Sequence, residues 1–463
     1  MRSRFSFNTL LMVYAVVVLV ALATWVVPGG EYRREVKDGR TLVVPGSFVY
    51  GQSQGQGLGA VLAAPLRGFA DASTIIAFVF IIGGSFMVIQ KTGAVTVALR
   101  TMALAFARKP HLQKYFIPVT MTMFALGGGL FGMCEETMPF VLIFIPLALS
   151  LGYDSLVGTA IPFLGAAAGF AGSVFNPFTV GIAQHIAELP VYSGYQYRMI
   201  IWVLSTVSMI TFVMLYARGI RKQPTSSPVF DLDQQRRQSL KLDAQDATPF
   251  TLAHKLVLVS FAAAIVLLVY GVLEHGWYIA EIGALFLGLG LIAGPLGRLS
   301  LSDAAEAFKE GARDMVGVAL IIGCARAILV VATDGKIIDV LLYSVASVIT
   351  RFHPIVASQA MFVAQGVINF FVHSGSGQAA LTMPVMAPLA DVVGISRQTA
   401  VLAFQFGEGW INPVLPTSGV TMGVLGLAGI PWERWFRWML PVQVYFFVLA
   451  LILLVPPYVF HYH

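Results

Sequence analysis

The residues of this chain that could do chemistry stand where hydrophobic sequence would be expected. The stretch "LGGGLFGMCEETMPFVLIFIP" (126–146) sets two adjacent carboxylates, Glu135 and Glu136, with Thr137, between glycines and an apolar run. Further along, "GSVFNPFT" places Ser173, Asn176 and Thr179 around a proline, and "HSGSGQ" groups His373, Ser374, Ser376 and Gln378. A last cluster, "GEGWINPVLPTSG", holds Glu408, Asn412, Thr417 and Ser418. No Ser/His/Asp set, HExxH motif or aspartate pair appears on the apolar segments, so the chain does not read as an enzyme. What such broken apolar sequence supplies is free backbone. Proline removes a donor and clashes with the preceding turn, leaving N–H groups bare at one half-helix start and C=O groups at the other half's end. The N–H end attracts a carboxylate and the C=O end a cation.

The glutamates add charge to that backbone chemistry. A charged side chain in a membrane interior is costly and marks function unless it is paired. On a helix Glu135 and Glu136 diverge by about 100°, so only one is expected to face a cavity. Glu136 is preferred, while Glu135 pairs with a basic group or caps the next half-helix. Glu408, alone in its break, suits either a transported proton or a substrate ammonium. The plainer alternative for each is a structural hydrogen bond to loosened backbone. His373 reads equally as a proton relay or as a polar residue at a hairpin mouth. Arg326, in "IIGCARAILVV", lies outside the broken regions. It is expected to be structural, paired with an acid such as Glu281 or with carbonyls; a substrate carboxylate is the alternative.

The elements that must position these residues are membrane helices. Of 463 residues, 57% are hydrophobic and only 11% charged, against about 25% charged in soluble proteins. The net charge of +6 requires no nucleic acid, because basic residues flank membrane spans as topology demands. The first apolar run is too long for a cleavable signal and reads as a retained span. Cys134 and Cys324 both lie in apolar sequence, so no disulfide framework is expected. About nine spans are predicted, near 8–27, 72–90, 154–186, 198–216, 254–273, 278–295, 315–333, 397–427 and 439–459. Two further stretches, 113–151 and 354–394, are too long for one span and too interrupted for two. Both read as re-entrant hairpins, and 154–186 and 397–427 as broken helices.

Arg2 and Arg4 place the N-terminus in the cytoplasm, with Arg108, Lys109, Arg218, Arg298 and Arg434 on the same side. Residues 28–57 then fall outside despite Arg33, Arg34, Lys37 and Arg40, which run against the rule. The tryptophans of "PWERWFRW" read as an interfacial anchor at a cytoplasmic boundary. Residues 219–253 are polar and mixed in charge, a linker between a first repeat (1–218) and a second (254–463). The halves match in order: Thr137-Met138-Pro139 with Thr382-Met383-Pro384, Gly152 with Gly394, and Asn176-Pro177 with Asn412-Pro413. Upstream, "FIIGGSFMVIQKTG" parallels "LIIGCARAILVVATDG". Several matches at a nearly constant offset make an internal duplication, and the span count makes the repeats inverted, as in secondary transporters.

These motifs are specific at family level. "CEETMPF", "SVFNPFT", "HSGSGQAALTMPVMAPLADVVGISRQ" and "FGEGWINPVLPTSG" resemble the YfcC family, proposed to exchange basic amino acids. That family groups with the DcuC-type C4-dicarboxylate carriers in the ion-transporter superfamily, which also contains the AbgT transporters. The resemblance covers nearly the whole chain. It implies a scaffold domain that dimerises and a transport domain of two hairpins and two broken helices that moves as an elevator. By that likeness the site falls on Glu135, Glu136, Asn176, Ser374, Asn412, Thr417 and Ser418. The dicarboxylate members carry Ser-Asn-Thr signatures at their hairpin tips for sodium, whereas these tips read Cys134-Glu135-Glu136-Thr137 and Ser374-Gly375-Ser376-Gly377. Sodium coupling therefore does not carry over unchanged, and added carboxylates argue against a purely dianionic substrate.

The sequence thus predicts an all-α polytopic membrane protein with two inverted repeats, an elevator-type secondary transporter of the bacterial inner membrane. Its substrate is expected to be a small carboxylate-bearing metabolite, foremost an amino acid, with a C4-dicarboxylate next and a channel as the rival from another class. A homodimer in membrane lipid, without nucleic acid, is expected. No cofactor is expected beyond a coupling sodium ion or proton.

Overall fold

The computed structural model describes residues 9–463 apart from 38–39, 45, 96, 99–100, 102–109, 246–249, 276, 278, 461 and 463. Arg2, Arg4, Arg108 and Lys109, on which the expected orientation partly rests, lie outside the described residues. Helices occupy all nine predicted stretches. Among the described residues, six helices can by length and composition cross a membrane, or seven if the bent pair Leu301–Asp314 and Ala319–Asp334 counts as one. On the helix Tyr195–Lys222, Ile200, Val203, Val207 and Leu215 form an exposed apolar stripe at helical spacing. Such a stripe suits lipid rather than water.

Two departures from an all-α reading lie in the 28–57 segment. Gly29–Glu31 pairs antiparallel with Val49–Gly51, and Arg34–Lys37 with Arg40–Val43. Arg34, one of the basic residues at odds with the outside placement, is held by Asp339 at 2.8 Å, and Lys336 reaches Glu31 at 2.8 Å. Asp339 of the opposite half thus neutralises one of the loop's bases, while Lys336 pairs with one of its acids.

Two helices not anticipated from hydropathy, Leu58–Asp71 and Leu301–Asp314, precede the spans Ser73–Lys91 and Val316–Asp334. Each packs on the other half of the chain. A Cβ on Gly68 would meet the Gly323 carbonyl at 2.2 Å, and one on Gly311 the Gly83 carbonyl at 2.2 Å. Gly83 and Gly323 are equivalent in the two matched segments, so the halves exchange corresponding helices through corresponding glycines. Leu58–Asp71 and Val316–Asp334 join Thr9–Val26 in a small separate core built on Val13, Val17, Ala64 and Ile328.

The stretches expected as hairpins each fold as two antiparallel helices. Pro110–Phe131 and Met138–Ser150 are paired by Phe116 on Phe144 and Phe124 on Phe140, with Gln113 donating to the Leu151 carbonyl at 2.9 Å. In the second, Pro354–Asn369 and Gly375–Val393 are tied by Gln378 donating to the Gln365 carbonyl at 2.9 Å. Gly152 and Gly394, matched in the sequence, both end their hairpins in the left-handed region at φ 84° and 76°. The broken helices follow at once, each with a capped start: Val157 N–H donates to Asp154, and Thr399 N–H to Ser396. They run as Ser155–Gly172 and Arg397–Gly409, and cross where a Cβ on Gly409 would lie 2.6 Å from the Ala171 Cα. The crossing sets the two breaks side by side.

The linker is more ordered than its composition suggested. Phe230–Gln245 is a helix whose acids and bases reach the hairpin and broken-helix ends. Asp233 accepts from Ser155 N–H at 2.8 Å, Arg236 donates to the Ala428 carbonyl, and Arg237 to the Tyr153 carbonyl. Asp231 pairs with Arg434. The reading of "PWERWFRW" as an interfacial anchor does not hold. Trp435 and Trp438 are buried; Trp435 donates to the Pro413 carbonyl at 2.8 Å and Trp432 to the Val414 carbonyl at 3.0 Å. These indoles satisfy carbonyls that the second break leaves bare.

Candidate functional site

In the first break the helix stops at Ser173, and Asn176 restarts the chain by accepting from Phe178 N–H at 2.9 Å. Pro177–Gly181 forms a wide turn closed by Gly181 N–H on the Asn176 carbonyl at 3.0 Å, before Ile182–Ile186. The first hairpin tip fits against it. Gly132, at φ 74°, sits where a Cβ would meet the Asn176 side chain at 2.7 Å, so both the backbone conformation and the space require glycine. Beyond it Glu135–Thr137 is a single tight turn. Glu136 curls back to accept from Cys134 N–H at 2.8 Å, and Thr137 donates to the Cys134 carbonyl at 2.6 Å.

The second tip and break interlock similarly. Ser374 caps Gly375–Val393 by accepting from Gly377 N–H at 3.2 Å. The His373 ring is hydrogen-bonded to the Thr417 hydroxyl, and Ser418 caps Gly419–Ala428 through Thr421 N–H. Glu408 is 1% exposed. Its Oε1 accepts from Asn412 Nδ2 at 2.9 Å, and Asn412 in turn accepts from Asn369 at 3.0 Å. Its other oxygen has no hydrogen-bond partner among the described residues. The Thr179 hydroxyl, in the first break, is likewise buried without one. A Cβ on Gly375 would touch both Thr179 (2.5 Å) and Glu408 (3.4 Å), so the second tip closes over the junction of the two breaks.

Both tips and both breaks open on one cavity of about 420 Å³. It takes in Glu135, Glu136, Thr179, His373, Ser374, Ser376, Glu408, Asn412, Thr417 and Ser418 from the sequence reading. Four predicted residues lie behind its wall. Thr137 is committed to its own turn, Ser173 and Asn176 are buried at the first break, and Gln378 faces the other hairpin helix. The expectation that only one of the adjacent glutamates faces the cavity is overturned. They sit in a tight turn at the cavity edge rather than on a continuous helix, so both line it.

Arg326 also differs from expectation. Its helix borders the cavity, its side chain lines it, and its partner is Asp71 rather than Glu281. Asp71 ends a helix that hydropathy did not reveal, which is why the pair was not legible. Asn369, which positions Asn412 and donates to the Glu408 carbonyl at 3.2 Å, was also missed. Its place as the last residue of a hairpin helix carried no sequence signal. In all, the wall holds four carboxylates (Asp71, Glu135, Glu136, Glu408) against one guanidinium and His373. An excess of carboxylates favours a cationic group or protons, since like charges in low dielectric repel strongly.

The profile of the family "DcuC: C4-dicarboxylate anaerobic carrier" matches residues 7–458. A relative in Escherichia coli (strain K12), named "Putative basic amino acid antiporter YfcC", is 37% identical over 93% of this chain and 92% of its own. An uncharacterised Haemophilus influenzae protein is 32% identical over 90% of this chain and 81% of its own. Among solved structures, the Alcanivorax borkumensis YdaH transporter aligns at 17% identity with a TM-score of 0.42, over 98% of this chain and 99% of that one. Neisseria gonorrhoeae MtrF, described as one of a class of antimetabolite efflux pumps, aligns at 17% and 0.41, over 98% and 95%. Those two likenesses are distant. The family's description and the name of the E. coli relative are those of transporters, not enzymes, and the chain is a multi-pass membrane protein of the DcuC C4-dicarboxylate carrier family.

Proposed function

We propose that the protein is a secondary active transporter for a small amphoteric metabolite, an amino acid, with basic amino acids the first candidates. The observation that carries this is the cavity in which two tips and two breaks meet around buried carboxylates, with Glu408 Oε2 unpartnered. The substrate's ammonium, or a basic side chain, binds at Glu408 and Glu136. Its carboxylate lies at the helix starts capped by Ser374 and Ser418, where bare N–H groups favour an anion. The name of the E. coli relative supports a basic amino acid.

Alternating access proceeds by an elevator movement of the hairpins and broken helices against the remaining spans, in an inner-membrane homodimer with a cytoplasmic N-terminus. The reciprocal packing of Gly68 on Gly323 and Gly311 on Gly83 supports two inverted repeats, 1–218 and 254–463, joined by 219–253. A sodium or proton gradient, or exchange, drives transport. A second reading, a C4-dicarboxylate carrier whose glutamates are protonated or hold coupling cations, is favoured by the family's own description.

The test is uptake into proteoliposomes of labelled arginine, ornithine, succinate and a neutral amino acid, with and without sodium or a pH gradient, beside Glu136→Gln. Uptake of a cationic or zwitterionic amino acid that Glu136→Gln abolishes supports the first reading. Uptake of succinate alone, with Glu136→Gln losing only its cation dependence, supports the second.

A further inference from the structure

The Arg326–Asp71 pair is the part of the cavity wall that the transport reading leaves unused. Arg326 stands one helical turn beyond Ile322, whose side chain would lie 3.6 Å from a Cβ on Gly419, the first residue of the helix capped by Ser418. It is also within electrostatic reach of His373, which holds Thr417. Arg326, His373, Thr417 and Ser418 therefore share one wall of the cavity. The pair is not sealed in the interior. Arg326 and Asp71 keep 34% and 46% of their side-chain surface open. Asp71 is a C-terminal residue of its helix and Arg326 a mid-helix residue, so the carboxylate is the partner with room to swing aside.

We propose that Arg326, acting together with the helix starts capped by Ser374 and Ser418, is the charged receptor for the substrate's carboxylate, and that Asp71 is a resident carboxylate which the substrate displaces. The idea rests on the amphoteric-substrate reading above. Guanidinium takes carboxylates in a two-pronged geometry that lysine does not reproduce. Exchanging one carboxylate for another spares Arg326 the cost of standing unpaired beside an apolar wall. The displaced Asp71 then faces the ammonium of an α-amino acid head group, so that one ion pair becomes two. The remaining length of a basic amino acid reaches toward Glu408. Specificity for an α-amino acid over the corresponding amine would reside at Arg326 and Asp71, and for a basic side chain at Glu408 and Glu136.

The experiment compares arginine with agmatine, its decarboxylated form, as competitors of labelled arginine uptake by wild-type, Arg326→Gln and Asp71→Asn protein in proteoliposomes, with succinate run in parallel. Losing a charge-assisted hydrogen-bonded pair corresponds to a fall of about 10- to 100-fold. Wild-type protein should prefer arginine to agmatine by about that factor, and Arg326→Gln should lose the preference. Asp71→Asn should raise apparent affinity for succinate, which only has to displace it, and lower that for arginine, whose ammonium loses its partner. A pair that merely ties two helices together would alter stability or expression without changing the arginine-to-agmatine ratio, and a ratio unchanged in Arg326→Gln overturns the proposal. If wild-type protein carries succinate and no amino acid, the amphoteric reading fails by itself. Arg326 is then judged by whether Arg326→Gln weakens succinate by the same factor; no weakening overturns its role as well.

Discussion

Glu408→Gln separates a functional carboxylate from a structural one, because the two roles predict opposite signs in two assays. Glu408 is 1% exposed and, among the described residues, accepts one hydrogen bond, from Asn412 at 2.9 Å, and has a second oxygen without a partner. As a purely structural group it would be a poor choice, since a carboxylate in a membrane interior costs about 3 kcal/mol or more unless fully paired. Glutamine keeps the shape and an oxygen for Asn412 while removing the charge. Stability in detergent or lipid should therefore stay level or rise by about 1–2 kcal/mol. Transport should fall, because a charge-assisted contact to a cationic group is worth about 1.5–3 kcal/mol, which is a loss of about 10- to 150-fold in apparent affinity. Thermal unfolding and initial uptake rates of the same preparation decide the matter. A glutamine variant that is less stable but carries substrate at the wild-type rate would make Glu408 a strut, and the reasoning would be refuted.

Three further perturbations probe the frame that holds the site. Gly409→Ala inserts a methyl 2.6 Å from the Ala171 Cα, where backbone rather than a pliable side chain must yield; a loss of about 1–3 kcal/mol in thermal unfolding is expected. Trp435→Phe keeps the buried ring but strips the Pro413 carbonyl of its donor. It should cost about 1–3 kcal/mol, and substrate KM should rise as the second break loosens. Outside the membrane segments, Arg434 holds the Asp231 carboxyl below its usual range, chiefly through their hydrogen bond. A depressed carboxyl stabilises the fold above its unfolded value near pH 4 and loses that contribution as pH falls through the lower folded value. The pair is partly exposed, so the contribution is at most about 1 kcal/mol; Asp231→Asn should lower stability at neutral pH by that amount at most, leave acid pH unchanged, and so flatten the acid limb of a stability–pH curve.

Much of the architecture was legible because membrane insertion writes itself into hydropathy, and Gly and Pro mark breaks. Gly152 and Gly394, aligned from sequence alone, occupy the same left-handed hairpin end in the structure. Leu301–Asp314 was invisible because its polar face hides it from an average over a window, and Leu58–Asp71 because 14 residues are too few to read as a span, although Gly68 and Gly311 each stand three residues before the aspartate that ends the helix. At the site, residue types pointed to the four clusters that meet at the cavity, but side-chain direction did not follow. Asn176 and Gln378 turn inward to hold backbone and neighbouring helix rather than the cavity. Glu135 enters the cavity because the tip is a tight turn, and a helical spacing rule has no purchase there. The indoles of Trp432 and Trp435 could not be told from interfacial anchors by spacing alone. What distinguishes them is a long-range contact, their hydrogen bonds to Val414 and Pro413.

Cys134 offers a direct reading of the central claim, since it lines the cavity beside the glutamates while Cys324 is buried. The measurement is the rate at which a small membrane-permeant maleimide labels Cys134 in a Cys324→Ser background, in proteoliposomes, with graded arginine, ornithine or succinate. Slowing by arginine or ornithine at concentrations that match their uptake KM, lost in Glu408→Gln, is the predicted result. Labelling that no transported substrate slows would place the substrate elsewhere and contradict the account.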